Sequence, residues 1–158
     1  MSEAKQLAED FQTTHWLIGK FAAGMSHEDS VAQPPFKANN FNWVLGHILV
    51  SRDRAIRLVS QPPLLDDEET SLYATGSKPV NAETAVTLDR LMQVLDSSQQ
   101  ALVEGLAATS PEDLAELFDE KREQRVGDRI AGLHWHETYH VGQLEILRQV
   151  SREREDFP

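Results

Sequence analysis

Leu88, Leu91, Met92, Leu95, Leu102 and Leu106 are spaced so that one side of a helix carries them all. A stripe that apolar has to be buried against other elements. Three further segments offer themselves as partners. Leu7, Phe11, Ile18, Ala22 and Met25 predict a first helix over residues 2–25. Trp43, Val44, Val50, Ala55 and Leu58 predict a second over residues 40–59, with Asn39 and Asn40 as candidate caps. The leucine stripe marks a third, opened by Pro79 and Asn81. A fourth begins at Gly127-Asp128 and runs to about residue 150. No strand pattern, internal repeat or low-complexity segment interrupts them. The expectation is a single all-α domain over residues 1–158, built as a four-helix bundle.

The breaks between helices are legible too. Pro34-Pro35 and Gln61-Pro62-Pro63 end the first two helical stretches. The connection that follows, as far as Val80, carries Asp66-Asp67-Glu68-Glu69 and room for one short helical turn. A loop near 20 residues is unusual in a compact domain. It could cross from one end of the bundle to the other, leaving the second and third helices parallel. Ser110-Pro111-Glu112-Asp113 starts a short helix. Residues 121–125 read as a solvated charged loop, and the charged tail 152–158 as a frayed end.

A net charge of −11 without a basic run excludes a nucleic-acid backbone as partner. No apolar run approaches the ~18 residues that span a bilayer. The polar start Met1-Ser2-Glu3-Ala4 lacks the features of a signal peptide, so a cytoplasmic location is expected. The chain has no cysteine. Any metal must therefore be held by His, Asp or Glu, and any thiol chemistry needs an external thiol.

Three of the six histidines fall in His134-Trp135-His136-Glu137-Thr138-Tyr139-His140. At 100° per residue, Leu133, His136, His140, Leu144 and Leu147 form the inward stripe of the fourth helix. His134 lies opposite, toward solvent. His15 sits at the edge of the first helix's stripe, and His27 in a loop. His47 faces inward on the second helix, between Trp43 and Ser51. A lone inward His is usually a hydrogen-bonded core residue. An inward His-x-x-x-His pair is different, because burying each imidazole unpartnered costs roughly 2–7 kcal/mol. A third inward His on another helix suggests that His47, His136 and His140 share one cation. Three neutral imidazoles leave a coordination position open, as catalytic zinc sites do.

His136-Glu137-Thr138-Tyr139-His140 also matches the zinc-protease pattern His-Glu-x-x-His. The rest of a protease is missing, because Gln143 and Ile146 stand where the longer motif needs Gly and His. Glu137 lies at the margin of the inward face. A solvated surface carboxylate is the plain expectation for it, and reach of a metal-held water the competing one. A di-iron bundle needs a second Glu-x-x-His. Val44, Ala131 and Leu133 precede the other helical histidines by three, so the sequence has none. Arg54, two turns beyond His47, is expected in a salt bridge at the rim.

Asn42-Trp43-Val44-Leu45-Gly46-His47 and His136-x-x-x-His140-x-Gly142-Gln143 resemble the DinB/YfiT-like family of metalloenzymes. The resemblance extends over essentially the whole chain, although only these two motifs are specific. It implies a left-handed bundle of up-down-down-up topology, often a homodimer. The family's metal ligands fall on His47, His136 and His140, and the metal is zinc or nickel, sometimes another divalent ion. Relatives include thiol transferases that use a low-molecular-weight thiol cofactor, an isomerase and hydrolase-like proteins. Gly142 would serve close helix packing. The expected function is metal-dependent chemistry on a small molecule, by thiol S-transfer or hydrolysis. The alternative is a non-catalytic, metal-stabilised dimeric bundle of the stress response.

Overall fold

The computed structural model describes residues 2–156, with side chains as far as Ser151. Four long helices dominate: α1 (Glu3–Ala22), α3 (Phe41–Leu58), α5 (Leu88–Ala108) and α7 (Val126–Asp156). Between them lie the short helices α2 (His27–Val31), α4 (Asp67–Leu72) and α6 (Pro111–Ala115), and the two-stranded hairpin β1 (Leu117–Asp119) and β2 (Gln124–Arg125). Helices α3 and α1 each pack against both α5 and α7. Among the described residues no helix is long and apolar enough to cross a membrane.

The caps follow the sequence. Asn40 accepts from the Trp43 amide to start α3. Asp66 and Glu69 form a capping box on α4, as Ser110 and Asp113 do on α6. Four expectations need correcting. The third long helix starts at Leu88 with Thr87 as its cap, not near Asn81. The reason is tertiary: the Val86 amide donates to the Tyr73 hydroxyl and the Val86 carbonyl accepts from Asn42 Nδ2. Those groups are then unavailable to a helix, and Asn81 caps only an isolated turn. Residues 121–125 are not a plain loop. They close an antiparallel hairpin whose strands, three and two residues long, are too short to show alternation. His27 opens α2 rather than lying in a loop, and its Nδ1 accepts from the Leu88 amide. Gly142 has open space where its Cβ would be, so close packing does not explain it. The side chains of 152–156 and the last two residues, where a frayed tail was expected, lie outside the described residues.

Helix α3 is the hub. Every residue from Phe41 to Asp53 is buried. Two of its sides are covered by the long helices α5 and α7, and its outer side by the connection to α5, whose Leu65, Tyr73 and Val80 join the core. Covering that side is what the long loop is for.

The core falls into two apolar clusters separated by a polar layer. Each long helix contributes one or two polar side chains to the layer, flanked by a residue of each cluster. In α1 the order is Phe11, Thr14, Ile18, and in α3 it is Leu49, Arg52, Ala55. In α5 it is Leu95, then Ser98 and Gln99, then Leu102, and in α7 Leu133, Glu137, Val141. Arg52 and Glu137 are 1% and 0% exposed, and they pair bidentately at 2.8 and 2.7 Å. The remaining guanidinium N–H groups donate to the Phe11 carbonyl, Ser98 Oγ and Gln99 Oε1, so all five donors are satisfied. Thr14 Oγ1 donates to Glu137. The expectation for Glu137 is therefore overturned: it is neither solvated nor beside the histidines' open side.

Removing one partner of a buried pair leaves an uncompensated charge, at a cost of about 3–5 kcal/mol. Arg52→Met and Glu137→Leu should each lose that much in urea denaturation. The double variant should regain at least half of the summed loss, because apolar side chains of similar volume then meet across the layer.

Candidate metal centre

The rotation of α7 sets the site. With Glu137 pointing at the core axis, His136 lies 100° to one side of it and His140 about 60° to the same side. Both imidazoles therefore face α3 from the flank of α7, and both are half-buried. The expected stripe centred on His136 and His140 is displaced by one residue, and Ile130, Leu133, Glu137, Val141 and Leu144 are the buried line. His47 comes from the hub helix and is 5% exposed. The Trp43 ring, one turn earlier, stacks on it at 4.9 Å and 10°.

His136 Nε2 lies 3.3 Å from His47 Nε2 and 3.1 Å from His140 Nε2. The three candidate ligand atoms lie within 4.8 Å of one another. Tetrahedral zinc with Zn–N bonds near 2.0–2.1 Å holds its ligand atoms about 3.3 Å apart, so the spacing suits such an ion.

The far side of each ring fixes what the near side offers. His47 Nδ1 donates to the Tyr73 carbonyl at 2.8 Å, and His140 Nδ1 donates to Gln143 Oε1 at 2.7 Å. Neutral rings so protonated carry lone pairs on Nε2. Two lone pairs thus aim at His136 Nε2, and one proton there could satisfy only one of them in a well-aligned hydrogen bond. A shared cation would satisfy all three. Ser51 Oγ, at 3.2 Å, holds His136 Nδ1. Burial, then the neighbouring His140, His47 and Arg54, push the His136 imidazole down to about 4. Burial also lowers His140, against the hydrogen bond it donates to Gln143. Both rings are thereby kept in the neutral form that binds metal.

The second-helix motif exists to receive Tyr73. The Tyr73 hydroxyl donates to Asn42 Oδ1 at 2.8 Å, and its ring lies where a Cβ on Gly46 would come within 2.3 Å. Trp43 Nε1 donates to Ser77 Oγ on the same connection. Asn42, Trp43, Gly46 and His47 therefore each contact the loop or depend on its approach. The histidines open into a cleft of about 630 Å³, walled by Phe36, Trp43, Tyr139 and Leu147 among others. That is an ordinary size for a small-molecule site.

A family model for the DinB superfamily matches residues 10–144. The chain belongs to the DinB superfamily. No curated protein matches it. Among solved structures, the crystal structure of a conserved protein of a locus from Enterococcus faecalis is similar to this DinB-superfamily chain. It aligns over 97% of this chain and 99% of that one, at 17% identity and a TM-score of 0.76. At that identity the likeness concerns the fold alone.

The three predicted residues, His47, His136 and His140, come together, and no other histidine joins them. His15 Nε2 instead meets Asp96 at 2.9 Å, between α1 and α5. His134 does not face solvent freely. It is half-buried, packs edge-on against Phe11 at 5.1 Å, and its Nε2 is sealed without a partner. Arg54 is exposed, and no rim salt bridge to it is present among the described residues. Sequence reasoning missed Arg52 and Tyr73. Arg52 left a signal, since it and Glu137 each sit inside an apolar stripe of three- and four-residue steps. Tyr73 left none, because nothing local says where a loop residue docks.

Burial pushes the Tyr73 phenol up to about 12. The unfolded phenol ionises near 10, so this group's contribution is complete below that pH and is lost as pH rises toward 12. Tyr73→Phe should cost about 1–3 kcal/mol at neutral pH, by leaving Asn42 and the Val86 amide without their partner. That cost should shrink near pH 11 in urea titrations, because only the native chain ionises there on unfolding.

Proposed function

We propose that this protein is a metal-dependent enzyme acting on small molecules, with His47, His136 and His140 as ligands through Nε2. The observation that carries the reading is the convergence of three Nε2 atoms at tetrahedral spacing, with each Nδ1 engaged on its far side. Zinc or nickel suits a set of imidazoles. Bound there, a divalent cation would supply Lewis acidity, making a water or an external thiol more acidic. The chain's own residues hold the rings, keep His136 and His140 neutral and wall the cleft beside them. Thiol S-transfer and hydrolysis are the reactions proposed, with the thiol coming from a low-molecular-weight cofactor because the chain has no cysteine.

The reading includes a single domain folded as a left-handed bundle of up-down-down-up topology. Its support is the order in which the helices run through the core. Helices α1 and α7 pass from the Phe11 cluster to the Ile18 cluster, and α3 and α5 pass the other way. A homodimer is part of the proposal too. Trp135, Tyr139 and Ile146 are 71%, 59% and 56% exposed along one face of α7, and Gly142 lies open among them. That same face supports the second reading, a non-catalytic metal-stabilised dimer of the stress response. The adjoining cleft, and the lack of a fourth His, Asp or Glu ligand among the described residues, favour the enzyme.

Purified protein should bind about one divalent ion per chain, measured by calorimetry and elemental analysis. His47→Ala, His136→Ala and His140→Ala should each abolish stoichiometric binding, while His15→Ala and His134→Ala keep it. Unchanged binding in the first three would sink the assignment.

A further inference from the structure

We infer that the cleft beside the histidines selects small molecules bearing a carboxylate or similar anionic group, with Lys37 as the residue that reads it. The inference rests on the metal reading above and deepens it. Its observation is electrostatic. The chain carries 26 Asp and Glu against 15 Lys and Arg. Residues of such a chain that gather round a cleft would ordinarily include carboxylates. Among the described residues none lines this one: its walls hold neutral residues and the three histidines, and the one charged side chain among them is Lys37.

The carboxylate nearest to the histidines in the chain confirms the pattern. Glu137 adjoins His136 but is turned into the core and neutralised by Arg52 at 2.7 and 2.8 Å. The ligand set is therefore neutral, and a divalent ion on it would keep its full charge. A local excess of positive charge inside an acidic protein attracts anions and repels cations. Phe36, Trp43, Val44, Ile146 and Leu147 give the wall its apolar part, beside the uncharged polar side chains of Asn39, Thr75, Tyr139 and Gln143. The occupant that fits is a molecule with a metal-binding head, an apolar body and an anionic group set against Lys37.

Zinc-loaded protein is titrated with ω-mercapto carboxylates of increasing chain length, each against the matching ω-mercapto alcohol. Affinity is read by calorimetry and by quenching of Trp fluorescence. The carboxylate should bind about three- to tenfold more tightly than the alcohol at the chain length that spans from the ion to Lys37. Lys37→Gln should abolish that preference, and Lys37→Glu should reverse it. Zinc stoichiometry should be unchanged in both, since Lys37 is exposed and makes no contact with the histidines. Equal binding of acid and alcohol at every length, with zinc bound, would overturn this inference and leave the metal reading standing. A preference that survives both Lys37 substitutions would overturn the role of Lys37. Failure of the native chain to take up zinc would overturn both readings.

Discussion

Everything near the histidines depends on the Arg52–Glu137 pair. Two full charges, each almost without exposure, sit in a polar layer that crosses all four long helices. Taking such charges out of water is costly, and the pair is tolerable only because every guanidinium N–H and both carboxylate oxygens have partners. The geometry that satisfies it is narrow. Apolar side chains tolerate small slips and rotations along a helix, whereas a bidentate fork does not. The pair thus fixes how far α7 is rotated and shifted against α3. His136 is the next residue to Glu137, and Ser51 is the next to Arg52. The same register that closes the ion pair brings Ser51 to His136 Nδ1 and His136 to His47.

The site is layered outward from there. Its inner shell is three nitrogen atoms, and its outer shell consists of one acceptor or hydroxyl for each ring: the Tyr73 carbonyl, Gln143 Oε1 and Ser51 Oγ. These come from a connection, from α7 and from α3. Outer partners of this kind set which nitrogen carries the proton and how the ring is aimed. Burial then favours the neutral form of His136 and His140, most clearly at His136. Neutrality, aim and spacing are separate requirements for holding a cation, and different parts of the chain meet each of them.

Much of this was legible in the sequence, for identifiable reasons. The long helices announce themselves because helical periodicity repeats over many residues, and the Asn40 and Ser110 caps are local chemistry. His47, His136 and His140 could be singled out because helical geometry alone decides which residues share a face. The errors arose where long-range contacts outweigh local ones. The backbone of Val86 is taken by Asn42 and Tyr73, which delays α5 by a turn or more. The inward face of α7 is centred on Glu137 because Arg52 awaits it, and a helix wheel that treats glutamate as polar displaces that centre. Gly46 could be noticed but not understood without the ring that lies on it.

One consequence concerns the connection between α3 and α5. His47 reaches across 26 residues of sequence for the carbonyl of Tyr73 that fixes its ring. The four helices can remain assembled while that segment detaches, since local openings of loops cost less than global unfolding. Detachment would free the His47 imidazole to turn and would strip the covering from the outer side of α3. Exchange of a bound ion with solution would then follow the opening rate of a loop rather than the breathing of the helices. With an ion bound, the loop would act as a latch, and the lifetime of the occupied site would be set by how seldom it lifts.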